Sequence, residues 1–297
     1  MTPLLFHLQQ TILSMANNPS SPDSKRADKH AFEKELTLPP IRKDYKGSDK
    51  LKGKVAIITG GDSGIGRSVA LHFAREGASI TIAYHQADED AAETKRLVEA
   101  EGAECVLFKG DLRDEYVCRR LIKVNINAFG QLDILVNNAG NHEEDQSIQG
   151  ISKEQLERTF AINIYSFFYC SKAATGVMKK GGIIINTASV VAYRGSEHLL
   201  DYSATKGAVV SFTRSLAKNL APKGMRVNGI APGPVWTPLV VNSFDAEHLE
   251  QFGKDTPLGR AGYPFELGPA YVYLACDDSS YVTGQFIHVN GGDAMLS

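Results

Sequence analysis

Val55-Ala56-Ile57-Ile58-Thr59 is a nearly continuous run of apolar and β-branched side chains, and it ends directly in Thr59-Gly60-Gly61-Asp62-Ser63-Gly64-Ile65-Gly66. A run of this kind, without polar alternation, suits a strand buried on both faces. Beyond the glycines, Val69, Ala70, Phe73 and Ala74 recur at helical spacing until Glu76-Gly77 stops the pattern. The unit is strand, tight turn and helix. Its cadence repeats: Ile80 to Tyr84 precedes a helix from about Asp88 to Glu101, and Cys105 to Phe108 precedes one from about Asp114 to Phe129. Ile134 to Val136, Gly182 to Thr187, Arg226 to Ile230 and Phe286 to Val289 supply four more strands.

Strands that alternate with helices require a parallel sheet covered on both faces, and right-handed crossovers make it doubly wound. The expectation is an α/β fold, a single doubly wound Rossmann-type domain with a parallel seven-stranded sheet over residues 51–297. Residues 1–50 form a polar extension. From Asn17 to Lys50, 14 of 34 residues are charged and only seven are apolar, with Pro19, Pro22 and the Pro39-Pro40 pair. Such a segment cannot fold alone. A solvated tail is favoured over a docking arm, for which Phe32, Leu36, Leu38, Ile41 and Tyr45 would be the anchors.

Composition removes several classes. Lys plus Arg number 32 against Asp plus Glu 34, a net charge of −2, so no basic field exists to hold a nucleic-acid backbone. No apolar run reaches the roughly 18 residues that span a bilayer. Cys105, Cys118, Cys170 and Cys276 stand 13, 52 and 106 residues apart and read as buried thiols rather than a metal clip or a redox couple. Met1 to Met15 lacks the basic n-region and small-residue cleavage pattern of a secretory signal. The expected compartment is the cytosol, with a plastid as the alternative. His142-Glu143-Glu144-Asp145 invites a metal, but consecutive side chains rarely converge on one ion, so a solvated loop is expected and no metal is assigned.

The glycine turn follows the first strand of an alternating chain, which points to a nucleotide. Gly60 permits the turn, Gly64 admits a diphosphate to the backbone, Gly66 lets the helix lie on the strand, and free amides at the helix start face the anion. An NAD enzyme carries a carboxylate at the end of its second strand to bind the ribose diol. Here that end reads Ala83-Tyr84-His85-Gln86, and the first acid is Asp88. NADP is therefore preferred, with NAD open, since neither Arg nor Lys stands there. Asp111, in Gly110-Asp111-Leu112, is placed either to meet an adenine edge or to cap the next helix.

Tyr202-Ser203-Ala204-Thr205-Lys206 sets a phenol and an amine four residues apart, on one face of a helix. Ser189 lies 13 residues upstream, just past a strand and so at its carboxyl end, where doubly wound sheets bind ligands. Asn137-Asn138-Ala139-Gly140 follows the fourth strand, and Asn163 sits on the next helix. With Pro232-Gly233-Pro234 and Val289-Asn290-Gly291-Gly292, these motifs resemble the short-chain dehydrogenase/reductases over about Leu51 to Gly292. Within that family, Gly60 to Arg67, Tyr45 to Lys54 and Ala231 to Leu239 look like the plant glucose and ribitol dehydrogenase homologues, a group similar to NADPH-dependent aldehyde reductases.

The resemblance implies a catalytic set of Asn163, Ser189, Tyr202 and Lys206. Tyr202 would protonate a carbonyl oxygen as hydride reaches carbon, Ser189 would fix that oxygen, and Asn163 would hold a relay water. Lys206 would grip the nicotinamide ribose and, with the nicotinamide's charge, lower the phenol pKa; a fall of about three units corresponds to roughly 4 kcal/mol. The implied cofactor contacts are Gly60, Asp62, Ser63, Gly64, Ile65, Gly66, Tyr84, His85, Asp111, Leu112, Asn138, Ala139, Gly140, Tyr202, Lys206, Pro232, Gly233, Val235 and Thr237. Trp236 to Gly262 would be a lid, with Trp236, Phe244 and Phe252 as walls or as plain helix packing.

The expected activity is hydride transfer between NADP(H) and an aldehyde or sugar-type carbonyl. A ketoacyl or steroid-type carbonyl reductase shares the machinery, and a cofactor-binding protein without turnover is the alternative outside the enzymes. A hydrolase is disfavoured because no Gly-x-Ser-x-Gly elbow surrounds Ser189. The partner is a small molecule rather than nucleic acid or membrane, and the resemblance implies a homo-oligomer, dimer or tetramer, through the helices bearing Asn163 and Tyr202.

Overall fold

A computed structural model of the 297-residue chain describes Phe32 and residues 35–294; the expectations for Met1 to Ala16 lie outside the described residues. Seven parallel strands form one sheet in the order β3-β2-β1-β4-β5-β6-β7. They are β1 Val55–Thr59, β2 Ser79–Tyr84, β3 Cys105–Lys109, β4 Ile134–Asn137, β5 Ile183–Thr187, β6 Arg226–Pro232 and β7 Phe286–Val289. β1 pairs with β2 on one side, Ile57 opposite Thr81, and with β4 on the other, Ile57 opposite Leu135. The winding reverses between β1 and β4, which opens a crevice at their carboxyl ends.

Alternation along each strand divides the core into two layers. Ile58 joins Phe73, Ile82 and Tyr271 on one face. Its neighbour Ile57 joins Leu121, Leu135 and Val227 on the other. Helices α1 Gly64–Arg75, α2 Asp88–Ala100 and α10 Pro264–Ala275 cover the first face, and α3 Glu115–Phe129, α5 Ser166–Thr175 and α7 Leu200–Leu220 the second. Between β4 and β5 the helix α4 Lys153–Phe160 runs into α5 through a wide π-turn at Ala161–Tyr165. After β5 comes the single turn α6 Val191–Arg194, and after β6 come α8 Pro238–Ser243 and α9 Ala246–Gln251.

Most element bounds fall within a residue or two of expectation. β6 runs two residues past Ile230 because β7 pairs with it there, Ala231 opposite His288 and Pro232 opposite Val289. The α3 cap is Asp114, whose carboxylate accepts from the Tyr116 amide at 2.7 Å, so the helix-cap reading of Asp111 is corrected. The solvated-tail expectation is corrected for the described part of the extension. Ile41 is buried in the core, and the Glu76 carboxylate accepts from the Tyr45 hydroxyl at 2.5 Å and from the Ser48 and Lys50 amides at 2.9 and 3.1 Å. The Arg75 guanidinium holds the Arg42 and Tyr45 carbonyls at 3.1 and 2.9 Å. The docking became possible because a buried glutamate supplies acceptors that a reading of the tail alone does not reveal.

Candidate active site

The crevice is a cleft of about 1460 Å³, larger than the roughly 300–1,000 Å³ of a site for one small molecule. At one end lies the glycine turn. Gly60 and Gly64 take φ of +62° and +51°, which a side chain would strain. A Cβ on Gly66 would stand 1.9 Å from the Gly60 carbonyl oxygen, so only glycine lets α1 lie against the turn. Asn138 clamps it, its Nδ2 donating to the Thr59 and Gly60 carbonyls at 3.1 and 3.2 Å. Thr59 Oγ1 in turn accepts from the Asn138 and Ala139 amides at 2.9 and 3.0 Å. These bonds tie β1 to β4 at the point of reversal. The backbone thereby forms a cradle with no room for side chains, which fits a dinucleotide diphosphate.

Of the expected cofactor contacts all line the cleft except Gly66, which stands behind the turn. At the far rim the Asp111 carboxylate is engaged by the Arg113 guanidinium at 2.6 to 3.0 Å, and His85 Nε2 stands 4.0 Å from it. Arg113 is thus a cation beside the end of β2 that sequence reading missed, because it belongs to the loop after β3. The Tyr84 hydroxyl donates to Asp88 at 2.9 Å, which draws that acid to the end of the strand. Val235 bridges by backbone to Gly262, and Thr237 caps α8.

At the middle of the cleft β5, α7 and the loop after β4 converge. Ser189 follows β5, and its hydroxyl accepts from the Val191 amide at 3.3 Å and stands near enough to the Tyr202 phenol to lower that group's pKa. One helical turn on, Lys206 Nζ donates to the Thr187 carbonyl at 2.9 Å and lies 5.4 Å from the Tyr202 ring centroid. Gly140 makes room here, since a Cβ on it would stand 3.0 Å from Asn163 Oδ1 and 3.6 Å from Lys206 Nζ. Asn163 does not line the cleft. From the π-turn its Oδ1 accepts from the Asn141 amide at 2.9 Å, while Nδ2 donates to the Asn141 carbonyl at 2.8 Å and to Thr205 Oγ1 at 3.2 Å. It fixes the loop after β4 to α7.

Burial pushes the Tyr202 phenol up to about 12, partly opposed by Ser189, and pushes Lys206 down to about 7. The expected lowering of the phenol belongs to the complex, in which the nicotinamide's charge adds to that of Lys206; without the dinucleotide, burial dominates. Desolvation disfavours both charges, and the amine spends a hydrogen bond on the Thr187 carbonyl. At neutral pH Tyr202 is a protonated acid.

The segment after β6 folds over the site. Phe244 and Phe252 line the cleft, but Trp236 does not; it stacks beneath Phe32 of the extension at 5.9 Å. A row of rings runs inward from there: Trp236 to Phe252 at 5.0 Å, Phe252 to Phe244 at 6.1 Å, Phe244 to His142 at 5.4 Å and His142 to Tyr202 at 5.2 Å. The solvated-loop expectation for residues 142–145 is corrected at His142, which is only 7% exposed. Among the described residues no three His, Cys, Asp or Glu side chains gather as metal ligands, and no helix is long and apolar enough to cross a membrane.

A seven-stranded parallel sheet with a glycine cradle at its reversal is the architecture of a dinucleotide-binding fold, and a Ser-Tyr-Lys cluster stands beside the cradle. Residues 60–293 match the family model described as enoyl-(acyl carrier protein) reductase. The chain is 50% identical over 256 residues to NADPH-dependent aldehyde reductase 1, chloroplastic, of Arabidopsis thaliana, covering 84% of this chain and 89% of that protein. It is 48% identical over 255 residues to the glucose and ribitol dehydrogenase of Daucus carota, covering 84% and 87%. A solved short-chain dehydrogenase from Burkholderia cenocepacia in complex with NADP superposes with a TM-score of 0.78 at 29% identity, over 82% of this chain and 98% of that one. The chain belongs to the short-chain dehydrogenase/reductases.

Proposed function

We propose that this protein transfers hydride between NADP(H) and short aldehydes or sugar-type carbonyls, with Tyr202 as the acid. The observation that carries the reading is the convergence of Ser189, Tyr202 and Lys206 in one cleft with the glycine cradle. The dinucleotide supplies the hydride. The Ser189 hydroxyl holds the carbonyl oxygen against the phenol, which delivers its proton as charge develops on that oxygen. Lys206 Nζ lies 5.4 Å from the phenol ring centroid as an amine that can carry positive charge beside it, and Asn163 holds the Asn141 loop in register with α7. NADP is preferred over NAD because the residues that end β2, Tyr84 and then His85, carry no carboxylate, and Arg113, paired with Asp111, is the cation that would hold a 2′-phosphate.

The substrate end of the cleft favours neutral molecules. Glu144, Glu197, Asp245, Glu247 and Asp255 line it, while Arg158 and Arg194 are paired with Glu143 and Asp293 at 3.0 Å. A phosphopantetheine-bound acyl substrate would bring its phosphate into this field, whereas an aldehyde or polyol brings no charge. The reading extends to a homo-oligomer, since Tyr165 and Phe168 are about half exposed where the π-turn meets α5; the mass in solution tests it.

The test is oxidation of NADPH and NADH by purified protein against short aldehydes, with glucose and ribitol tried in the oxidative direction. The expected result is NADPH-dependent turnover that falls by about 10²- to 10⁴-fold in Tyr202→Phe while NADPH binding persists. Clear cofactor binding with no turnover of any of these substrates would refute the proposal.

A further inference from the structure

His142 stands in the cleft with an unmet bonding capacity. It follows the Asn138-Ala139-Gly140 loop, which Asn163 pins in place through Asn141. Its ring packs against Tyr202 at 5.2 Å on one side and Phe244 at 5.4 Å on the other. Its Nδ1 is buried and has no hydrogen-bond partner among the described residues. A buried polar atom left unpaired is costly and calls for an explanation. Phe244 also stacks on His248 at 4.1 Å, and His248 Nδ1 lies 3.6 Å from a Glu144 carboxylate oxygen, so the imidazole is backed by rings on the lid side.

We infer that His142 is a specificity-determining residue that hydrogen-bonds a substrate hydroxyl on the carbon beside the reacting carbonyl, so that α-hydroxyaldehydes are preferred to their deoxy counterparts. The inference rests on the carbonyl-reductase reading above. A carbonyl oxygen held at Tyr202 and Ser189 brings the adjacent carbon and its hydroxyl to the neighbouring ring. A neutral imidazole offers one donor and one acceptor, as does a hydroxyl, so the two match in either tautomer. The ring is held neutral, because burial first and the Lys206 charge second push its pKa down to about 4, against the opposing pull of Asp201. A carboxylate in the hydroxyl's place would face Glu144, which the acidic lining disfavours.

The experiment compares kcat/KM for glyceraldehyde and propanal with NADPH, in wild type, His142→Phe and His142→Gln. The ratio of the two values is independent of how much protein is folded. The expected result is a glyceraldehyde-to-propanal ratio that falls about tenfold in His142→Phe, which keeps the ring but not its nitrogens, and is partly restored in His142→Gln. A ratio unchanged within about twofold in His142→Phe, or equal losses on both substrates, would show a packing role and overturn the inference while leaving carbonyl reduction intact. Absence of turnover of either aldehyde by wild type would overturn both.

Discussion

His72 offers a test of how tightly the first layer of the core is closed. The side chain lies in α1, 1% exposed, and its Nδ1 donates to the Ser68 carbonyl at 2.7 Å. Gly268 of α10 packs so closely that a Cβ there would stand 2.2 Å from the ring. Burial pushes its pKa from 6.5 down to about 4. The unfolded chain therefore binds a proton at this site between those two values and the folded chain does not. Stability from this group is complete above pH 6.5 and is lost as pH falls towards 4. Between pH 7 and pH 5 the loss comes to about 2 kcal/mol. His72→Phe keeps a ring and cannot titrate, and any overpacking cost of about 1–3 kcal/mol is the same at both pH values. Urea unfolding followed by circular dichroism at pH 7 and pH 5 should show the stability gap between wild type and variant moving by about 2 kcal/mol in the variant's favour at the lower pH. A gap constant within about 0.5 kcal/mol would mean that the imidazole protonates in place, and the reasoning from burial would fail.

Three further outcomes are expected. Gly66→Ala forces a carbon to within 1.9 Å of the Gly60 oxygen, so the variant should melt several degrees lower and bind NADPH more weakly; an unchanged melting temperature with unchanged affinity would contradict the cradle. If positive charge on Lys206 supports the reaction, kcat/KM for aldehyde reduction should be level below pH 7 and fall above it, because the amine loses its proton near 7; a profile level up to pH 9 would refute that role. Phe32→Ala removes the ring stacked on Trp236 at 5.9 Å, an aromatic pairing worth about 1 kcal/mol, and should lower the melting temperature by about 2–4 °C in scanning calorimetry; no shift would mean that the arm is not seated on the lid.

The sheet was legible because its signal is local. Val55 to Thr59 carries its burial in its own composition, and the glycines after it carry the turn. Tyr202 and Lys206 were legible as a helical pair, and Ser189 as the residue at a strand's carboxyl end. What escaped depends on side chains far apart in sequence. His142 sits among charged residues and reads as exposed, yet Phe244, about a hundred residues later, covers it. The docking of the arm depends on Glu76, and the cation near the end of β2 comes from Arg113, after a different strand. The depth at which Tyr202 is buried escaped for another reason: spacing says that an amine is near, but how strongly desolvation raises the phenol in the protein alone is decided by depth in the fold.

The row of rings from Phe32 to Tyr202 connects the arm to the candidate acid by direct side-chain packing. Each inner member touches a neighbour on either side, at separations of 5.0 to 6.1 Å. If the segment after β6 closes over a bound molecule, the row predicts that the displacement reaches the imidazole beside the phenol. Under the proposed reaction, enclosure of the substrate and aim of the Tyr202 proton would then be linked through the same row of rings. The expected outcome is that a substitution at the outer end of the row, such as Phe32→Ala, alters turnover at Tyr202 without touching it; unchanged kcat/KM would refute the link.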